Sequence, residues 1–408
     1  MAEIVIPGSR IDNPAMDLDG RVLAEAVAEL VRIPSVNPLH TGPRAEEHGP
    51  VGEGAIARHL ADRFDRCGAA EVVLDEVRPD RPNVYGRFPG RSDRLVVLDV
   101  HTDTVAVEHM TDPPFDGRIE HDAVWGRGAL DTKATMGVVL ALLAAMHRDG
   151  RRPDPTLLLV GSIGEEAGGL LGATRFAPWA RQQGLRIDQL LVAEPTGFRP
   201  VHGLKGLVLI EVTTHGVAAH SARPDLGVNA IDAMVPVLAA FAAAHERLSA
   251  TPGRTELGGG TLSVTQITGG SGSNVIPDRC SITVGRRIVP GEDPVDVLAE
   301  LTAIARAACP VPCDVVSLLP RTPDGRPASP AFYQRPDSGL VQFLARTCGT
   351  RPTVAPFGAN ALRYSGLAEE LVVFGPGSIE DAHQATERID IPDLRRLADV
   401  LTSWLSPG

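Results

Sequence analysis

Residues 20–33 (GRVLAEAVAELVRI) carry apolar side chains at helical spacing and stop ahead of Pro34, a pattern that predicts an amphipathic helix. Four later segments, 95–100 (LVVLDV), 156–161 (TLLLVG), 189–193 (QLLVA) and 371–374 (LVVF), are short and almost continuously apolar. Such runs predict buried strands, and helical stretches such as 134–147 alternate with them, so the pattern points to a helix-flanked α/β sheet of mixed direction. The middle of the chain reads differently. Residues 207–214 alternate as a strand, 227–248 read as a helix with Pro236 as a possible kink point, and 261–268 and 280–288 read as strands separated by GGSGSNVIPD. A helical segment at 294–308 and a last short strand near 313–318 follow, giving the β-α-β-β-α-β order of the ferredoxin-like unit. The expected architecture is a main α/β domain assembled from residues 1–205 and 319–408, with a smaller ferredoxin-like domain inserted at 206–318 and the Pro-rich stretch 320–336 as the return linker.

Composition narrows the function classes. A length of 408 residues suits two domains at roughly 100–200 residues each. The net charge of −12 and an aromatic content of 4% offer neither a basic patch nor a stacking platform, so no nucleic-acid partner is expected. No apolar run approaches the roughly 18 residues of a membrane span, and the first residues lack a basic start followed by an apolar block. A cytoplasmic protein is expected. The five cysteines are scattered, and Cys309-Pro-Val-Pro-Cys313 is too widely spaced for a CxxC pair and has no histidine nearby, so unpaired thiols in a reducing compartment are expected. Of 39 basic residues only Lys133 and Lys205 are lysine, which hints at positions that need a compact ammonium rather than a planar fork.

The candidate chemistry sits where the strands end. In open α/β sheets ligands gather at the carboxyl ends of strands. The run at 95–100 leads into His101-Thr-Asp103, the run at 156–161 is followed by Glu165-Glu166, the third ends at Glu194, and the fourth leads to His383. Asp131 lies in GRGALDTK at the entrance to a helix. Two imidazoles and several carboxylates suit zinc or a similar borderline cation without any thiolate. They also exceed what one tetrahedral zinc needs, and a carboxylate can bridge two metals about 3.5–4 Å apart. Neighbouring side chains of an extended segment point opposite ways, so one of Glu165 and Glu166 can ligate while the other handles a water's proton. Singly, each residue has a plainer reading: His101 as a strand-ending histidine, Asp131 as a helix N-cap, Glu165-Glu166 as a solvated turn, Glu194 as a loop acid, His383 as an exposed helix-end residue. The metal reading rests on their joint order.

HTDTV, GRGALDTK, GEE, AEPT and AHQATERI occur in an order and spacing that resembles the dinuclear-zinc deacylase and exopeptidase family of acetylornithine deacetylase, succinyl-diaminopimelate desuccinylase, aminoacylase and glutamate carboxypeptidase. The resemblance runs from about residue 20 to the end and implies two divalent ions per subunit, Zn²⁺ with Co²⁺ as a substitute. It implies His101, Asp131 and Glu194 on one metal, and Asp131, Glu166 and His383 on the other. Glu165 is then the general base, and Asp103 orients His101. The inserted domain is implied to be a lid through which the chain forms a homodimer. His220, in GVAAHSARPDLGVNAI, is implied to reach the neighbouring active site, and Asn274 and Arg286 to contact the substrate through its carboxylate. Two departures stand out: Ala134 where many members have glycine, and Asn360 where many carry an acidic residue, so the pocket need not face a cationic amine. The implied activity is hydrolysis of N-acyl amino acids, acetyl first, with desuccinylation and dipeptide or carboxypeptidase cleavage as alternatives. A non-catalytic metal-binding scaffold is the rival of another class.

Overall fold

The computed structural model describes residues 18–40, 42, 47, 49, 51–167, 169–319 and 329–406. The first residues and most of the expected Pro-rich linker lie outside the described residues. The chain divides into two compact units, one built from residues up to Gly161 with Ala193–Phe198 and the segment from Gly375 onward, the other from Ser162–Val192 and Arg199–Phe374.

In the first unit the hairpin strands Glu71–Arg78 and Arg81–Phe88 pair antiparallel, and Arg81–Phe88 pairs antiparallel with Thr156–Ser162, with Val84 opposite Gly161. Leu95–His101 lies beside Thr156–Ser162. Both of the latter strands are buried over almost their whole length, which explains their unbroken apolar sequence. The helix Lys133–Arg148 is buried on nearly all sides and packs on the helices Gly20–Val31 and Ile391–Leu405. Asp131 does not cap it. Thr132 occupies the N-cap, without a side-chain cap bond, and the Asp131 carboxylate is directed instead at two histidine rings.

Gly137 is the point of closest approach between two of these helices. A Cβ there would stand 2.7 Å from Val27 Cγ2 and 2.9 Å from the Val27 backbone. Gly137→Ala gains up to about 1 kcal/mol of helix propensity but forces two backbones apart, a cost of about 1–3 kcal/mol. The expected outcome is a lower midpoint of thermal unfolding by circular dichroism; an unchanged or raised midpoint would show that the helices can separate freely.

The second unit carries the strands Ile187–Ala193, Ala368–Phe374 and Val201–Leu204 as successive neighbours, with Phe332–Tyr333 antiparallel and Thr353–Ala355 parallel to Val201–Leu204. It also contains the β-α-β-β-α-β unit: strand Gly206–His215, helix Ala230–Ser249, strands Thr261–Gly269 and Arg279–Ile288, helix Pro294–Ala308 and strand Cys313–Ser317. The four strands are antiparallel, in the spatial order second, third, first, fourth. Alternate residues of the two central strands, among them Val208, Ile210, Val212, Ile282 and Val284, meet Met234, Phe241 and Leu301 of the two helices. The first of those helices begins at Ala230 rather than 227 because Asn229 caps it, accepting from the backbone N–H of Ile231 and Asp232. It continues unbroken past Pro236.

Candidate metal centre

Leu95–His101 delivers His101 at its last position, its side chain 1% exposed. Nδ1 donates to the backbone carbonyl of Asp103 at 3.0 Å, while the Asp103 carboxylate stands 3.7 Å away. Asp103 therefore orients the ring chiefly through its main chain. Its carboxylate accepts from Asn37 Nδ2 at 2.8 Å, and Asn37 is itself fixed by its backbone N–H to Thr104 O at 2.9 Å. With the proton on Nδ1, Nε2 presents a lone pair, and it faces Asp131 Oδ1 at 3.0 Å. On the other carboxylate oxygen, His383 Nε2 stands 3.3 Å from Asp131 Oδ2. His383 holds a left-handed backbone with φ of 62°, a conformation that costs energy for a residue with a Cβ and recurs at functional sites.

Burial alone would push the Asp131 carboxyl upward, but hydrogen bonds and charge from His101 and His383 hold it well below the ordinary carboxylate range. A carboxylate oxygen and an imidazole lone pair repel unless a positive species sits with them. A divalent cation is such a species, and the nitrogen and oxygen donors fit one of borderline character. Glu194 is buried, directly after Ile187–Ala193, and offers an oxygen within 4.8 Å of a His101 nitrogen. The loop that follows is fastened to the segment leading to His383: Phe198 N donates to Gly375 O at 2.9 Å, and Gly375 N donates to Thr196 Oγ1 at 3.1 Å.

The first unit thus brings together His101, Asp103, Asp131, Glu194 and His383. The other expected residues belong to the second unit. Glu165 and Glu166 are half-buried in the loop after Thr156–Ser162, four and five residues beyond Gly161. Asn360 is buried, and its Nδ2 donates to Ser162 Oγ at 2.9 Å. Arg286 is buried and paired with Glu292 and with the backbone carbonyl of Arg287. His220 and Asn274 are exposed where Ala219–His220 pairs with Val275–Ile276, and Asn274 O accepts from Ser221 N at 2.9 Å.

Sequence reasoning passed over Asn37, Arg127 and Glu387. Arg127 and Glu387 form a buried ion pair at 2.6 Å, and each lies inside a motif already singled out, GRGALDTK and AHQATERI. Opposite charges in two such motifs were the available signal. Both lysines place an ammonium on a backbone carbonyl, Lys133 on Ile33 O at 2.8 Å and Lys205 on Gly259 O at 2.7 Å. Burial pushes Lys133 down to about 7, against the pull of Glu387.

Known proteins resemble this chain over most of its length. A family model described as a peptidase dimerisation domain matches residues 202–312, and one for peptidase family M28 matches residues 83–200. Acetylornithine deacetylase of Myxococcus xanthus is 34% identical over 363 residues, covering 86% of this chain and 90% of that protein. Succinyl-diaminopimelate desuccinylase of Methylorubrum extorquens is 28% identical, covering 91% and 94%. Among solved structures, an M20 family metallo-carboxypeptidase from Sulfolobus solfataricus superposes with a TM-score of 0.74 at 17% identity, covering 94% of this chain and 98% of that one. The aminopeptidase PepT of Bacillus cereus gives 0.71 at 18%, covering 95% and 98%.

Proposed function

Because this chain belongs to the metal-dependent amidohydrolase and exopeptidase family of acetylornithine deacetylase and succinyl-diaminopimelate desuccinylase, we propose that His101, Asp131 and Glu194 hold one divalent cation, that Asp131, Glu166 and His383 hold a second, and that the chain hydrolyses N-acetyl amino acids. The observation that carries this reading is Asp131, buried, with one imidazole against each of its oxygens. Zinc fits the nitrogen and oxygen donors, with cobalt as a substitute.

Bound there, the cations would supply Lewis acidity and lower the pKa of a water. Glu165 accepts the attacking water's proton as the C–O bond forms, then returns it to the departing nitrogen as the C–N bond breaks. His220, reaching from a neighbouring subunit, donates to the developing oxyanion. Arg286 and Asn274 take the substrate's carboxylate, Arg286 exchanging Glu292 for it. Asn360 brings no negative charge, which favours a neutral or acidic amino acid over a cationic one.

A homodimer is supported by the matched dimerisation domain and by the strand Thr261–Gly269 at the edge of its sheet, exposed over most of its length. Exposed apolar side chains on this domain, Leu226, Val235 and Ile267, point the same way. A cytoplasmic location suits the scattered cysteines, among which no disulfide is formed in the described residues; among the described residues, no helix is long and apolar enough to cross a membrane.

The test is to supply the purified chain with Zn²⁺ or Co²⁺, measure metal per subunit, and assay N-acetyl and N-succinyl amino acids beside dipeptides. About two ions per subunit and fastest turnover of N-acetylated neutral or acidic amino acids, abolished by a chelator, are expected. A chain that stays metal-free in excess zinc would overturn the reading in favour of a scaffold.

A further inference from the structure

We propose that Glu387 is a positioning residue that sets the spacing between Asp131 and His383; this rests on the metal-centre reading above. The Glu387 side chain is 1% exposed. Oε2 accepts from Arg127 Nη1 at 2.6 Å and Gly128 N at 3.1 Å, and Oε1 accepts from Leu130 N at 3.0 Å and Asp131 N at 3.1 Å. A carboxylate has about four acceptor sites, and protein donors fill them all. Glu387 consequently has nothing left to offer a cation or a substrate. Its role lies in what it holds.

What it holds is the backbone of the bridging residue itself. Within Gly126–Asp131 the N–H groups of Gly128, Leu130 and Asp131 turn inward onto the carboxylate, an anion-binding concavity made from main chain. The turn requires φ of 83° at Gly128, which glycine adopts without strain. Register places Glu387 for the task. Arg388–Asp390 pairs antiparallel with Ala123–Trp125, Arg388 opposite Trp125, and Gly126 N donates to Glu387 O at 3.1 Å. Glu387 follows His383 by four residues, so one side chain ties the main chain of Asp131 to the turn that bears its second imidazole. Arg127 extends the tie, because its Nε donates to Ala106 O at 3.2 Å, on the segment that follows His101 and Asp103. Three ligand-bearing segments therefore meet on a single buried ion pair.

The geometry separates this role from a general contribution to stability. Glu387→Gln keeps the volume but turns one oxygen into an NH₂ group, which must face either the N–H groups of Leu130 and Asp131 or the Arg127–Gly128 pair. Donor then meets donor, and the Asp131 backbone shifts relative to His383. A cation that Asp131 and His383 would hold should feel the change more than one that His101 and Glu194 would hold.

The experiment titrates metal-free wild type, Glu387→Gln and Arg127→Met with Co²⁺, followed by calorimetry and by the visible d–d absorption, which reports coordination geometry. Thermal unfolding of each metal-free protein is recorded in parallel. In Glu387→Gln one of the two binding steps is expected to weaken by about 10–100-fold, as for other partners that orient metal ligands, with a changed d–d spectrum and the other step intact. Arg127→Met removes one of the four donors and should show the same selective change at smaller size, which keeps the question answerable if the glutamine variant does not fold. Equal weakening of both steps in proportion to lost stability, or two unchanged steps with an unchanged spectrum, would overturn the positioning role. If wild type itself binds no cobalt, the metal-centre reading fails instead.

Discussion

Glu165→Gln is expected to bind its full complement of metal and to lose turnover by about 10²–10⁴-fold, the usual contribution of a positioned general acid–base group. At 1.36 kcal/mol per decade this raises the barrier by about 3–5 kcal/mol. Glutamine matches glutamate in size and can hydrogen-bond a water, but its amide cannot take that water's proton and pass it to the leaving nitrogen. The loss should fall on kcat more than on KM, because ground-state binding does not use the proton transfer. Metal analysis and steady-state kinetics on one preparation decide the matter. Near-normal turnover would remove Glu165 from the mechanism, and loss of metal would assign it as a ligand. Glu166→Gln is the matched control, expected to lose a metal.

Asp131→Ala is expected to be more damaging still, with metal per subunit falling below one and no measurable hydrolysis. The carboxylate faces His101 at 3.0 Å and His383 at 3.3 Å on different oxygens, so its removal would strip a donor from both proposed cation positions at once. Loss of either single histidine should instead spare part of the loading. Removing Asp131 also leaves the buried His101 Nε2 without the partner described here, and groups buried that way cost about 1–3 kcal/mol. Metal content by atomic emission, beside the unfolding midpoint of the metal-free variant, checks both effects. A variant that retains two ions would show that Asp131 does not bridge.

Much of the architecture was legible because the physics that builds it is local. Unbroken apolar runs at 95–100 and 156–161 marked strands buried in the sheet, and alternation over 207–214 marked a strand with one covered face. The two helices between them completed a recognisable unit. The positions of His101 and Glu194, the proposed ligands, were legible for a related reason: a strand places its last residue at the sheet's edge, and both follow apolar runs. Asp131 was harder, since an acid ahead of a helix is most simply a cap, and only its two imidazole neighbours show otherwise. Glu387 and Arg127 left only the faint signal of opposite charges in two distant motifs. Both oxygens of Glu387 are saturated by donors some 256–260 residues away in sequence, and no periodicity records a pairing of that span. Arg286 was read by motif alone, and its engagement with Glu292, six residues on, emerged only from the turn that brings them together.

The long reach of that ion pair bears on how the protein is made. A ribosome adding about 5–20 residues per second delivers Glu387 256 residues after Asp131, and His383 only four residues before Glu387. During that interval of roughly 10–50 seconds the nascent chain has Asp131 and His101 but neither the second imidazole nor the carboxylate that shapes the turn. On the proposed assignment only the cation position that uses His383 is completed this late, and a message cut short before codon 383 would yield chains without that second imidazole, however well their earlier segments fold.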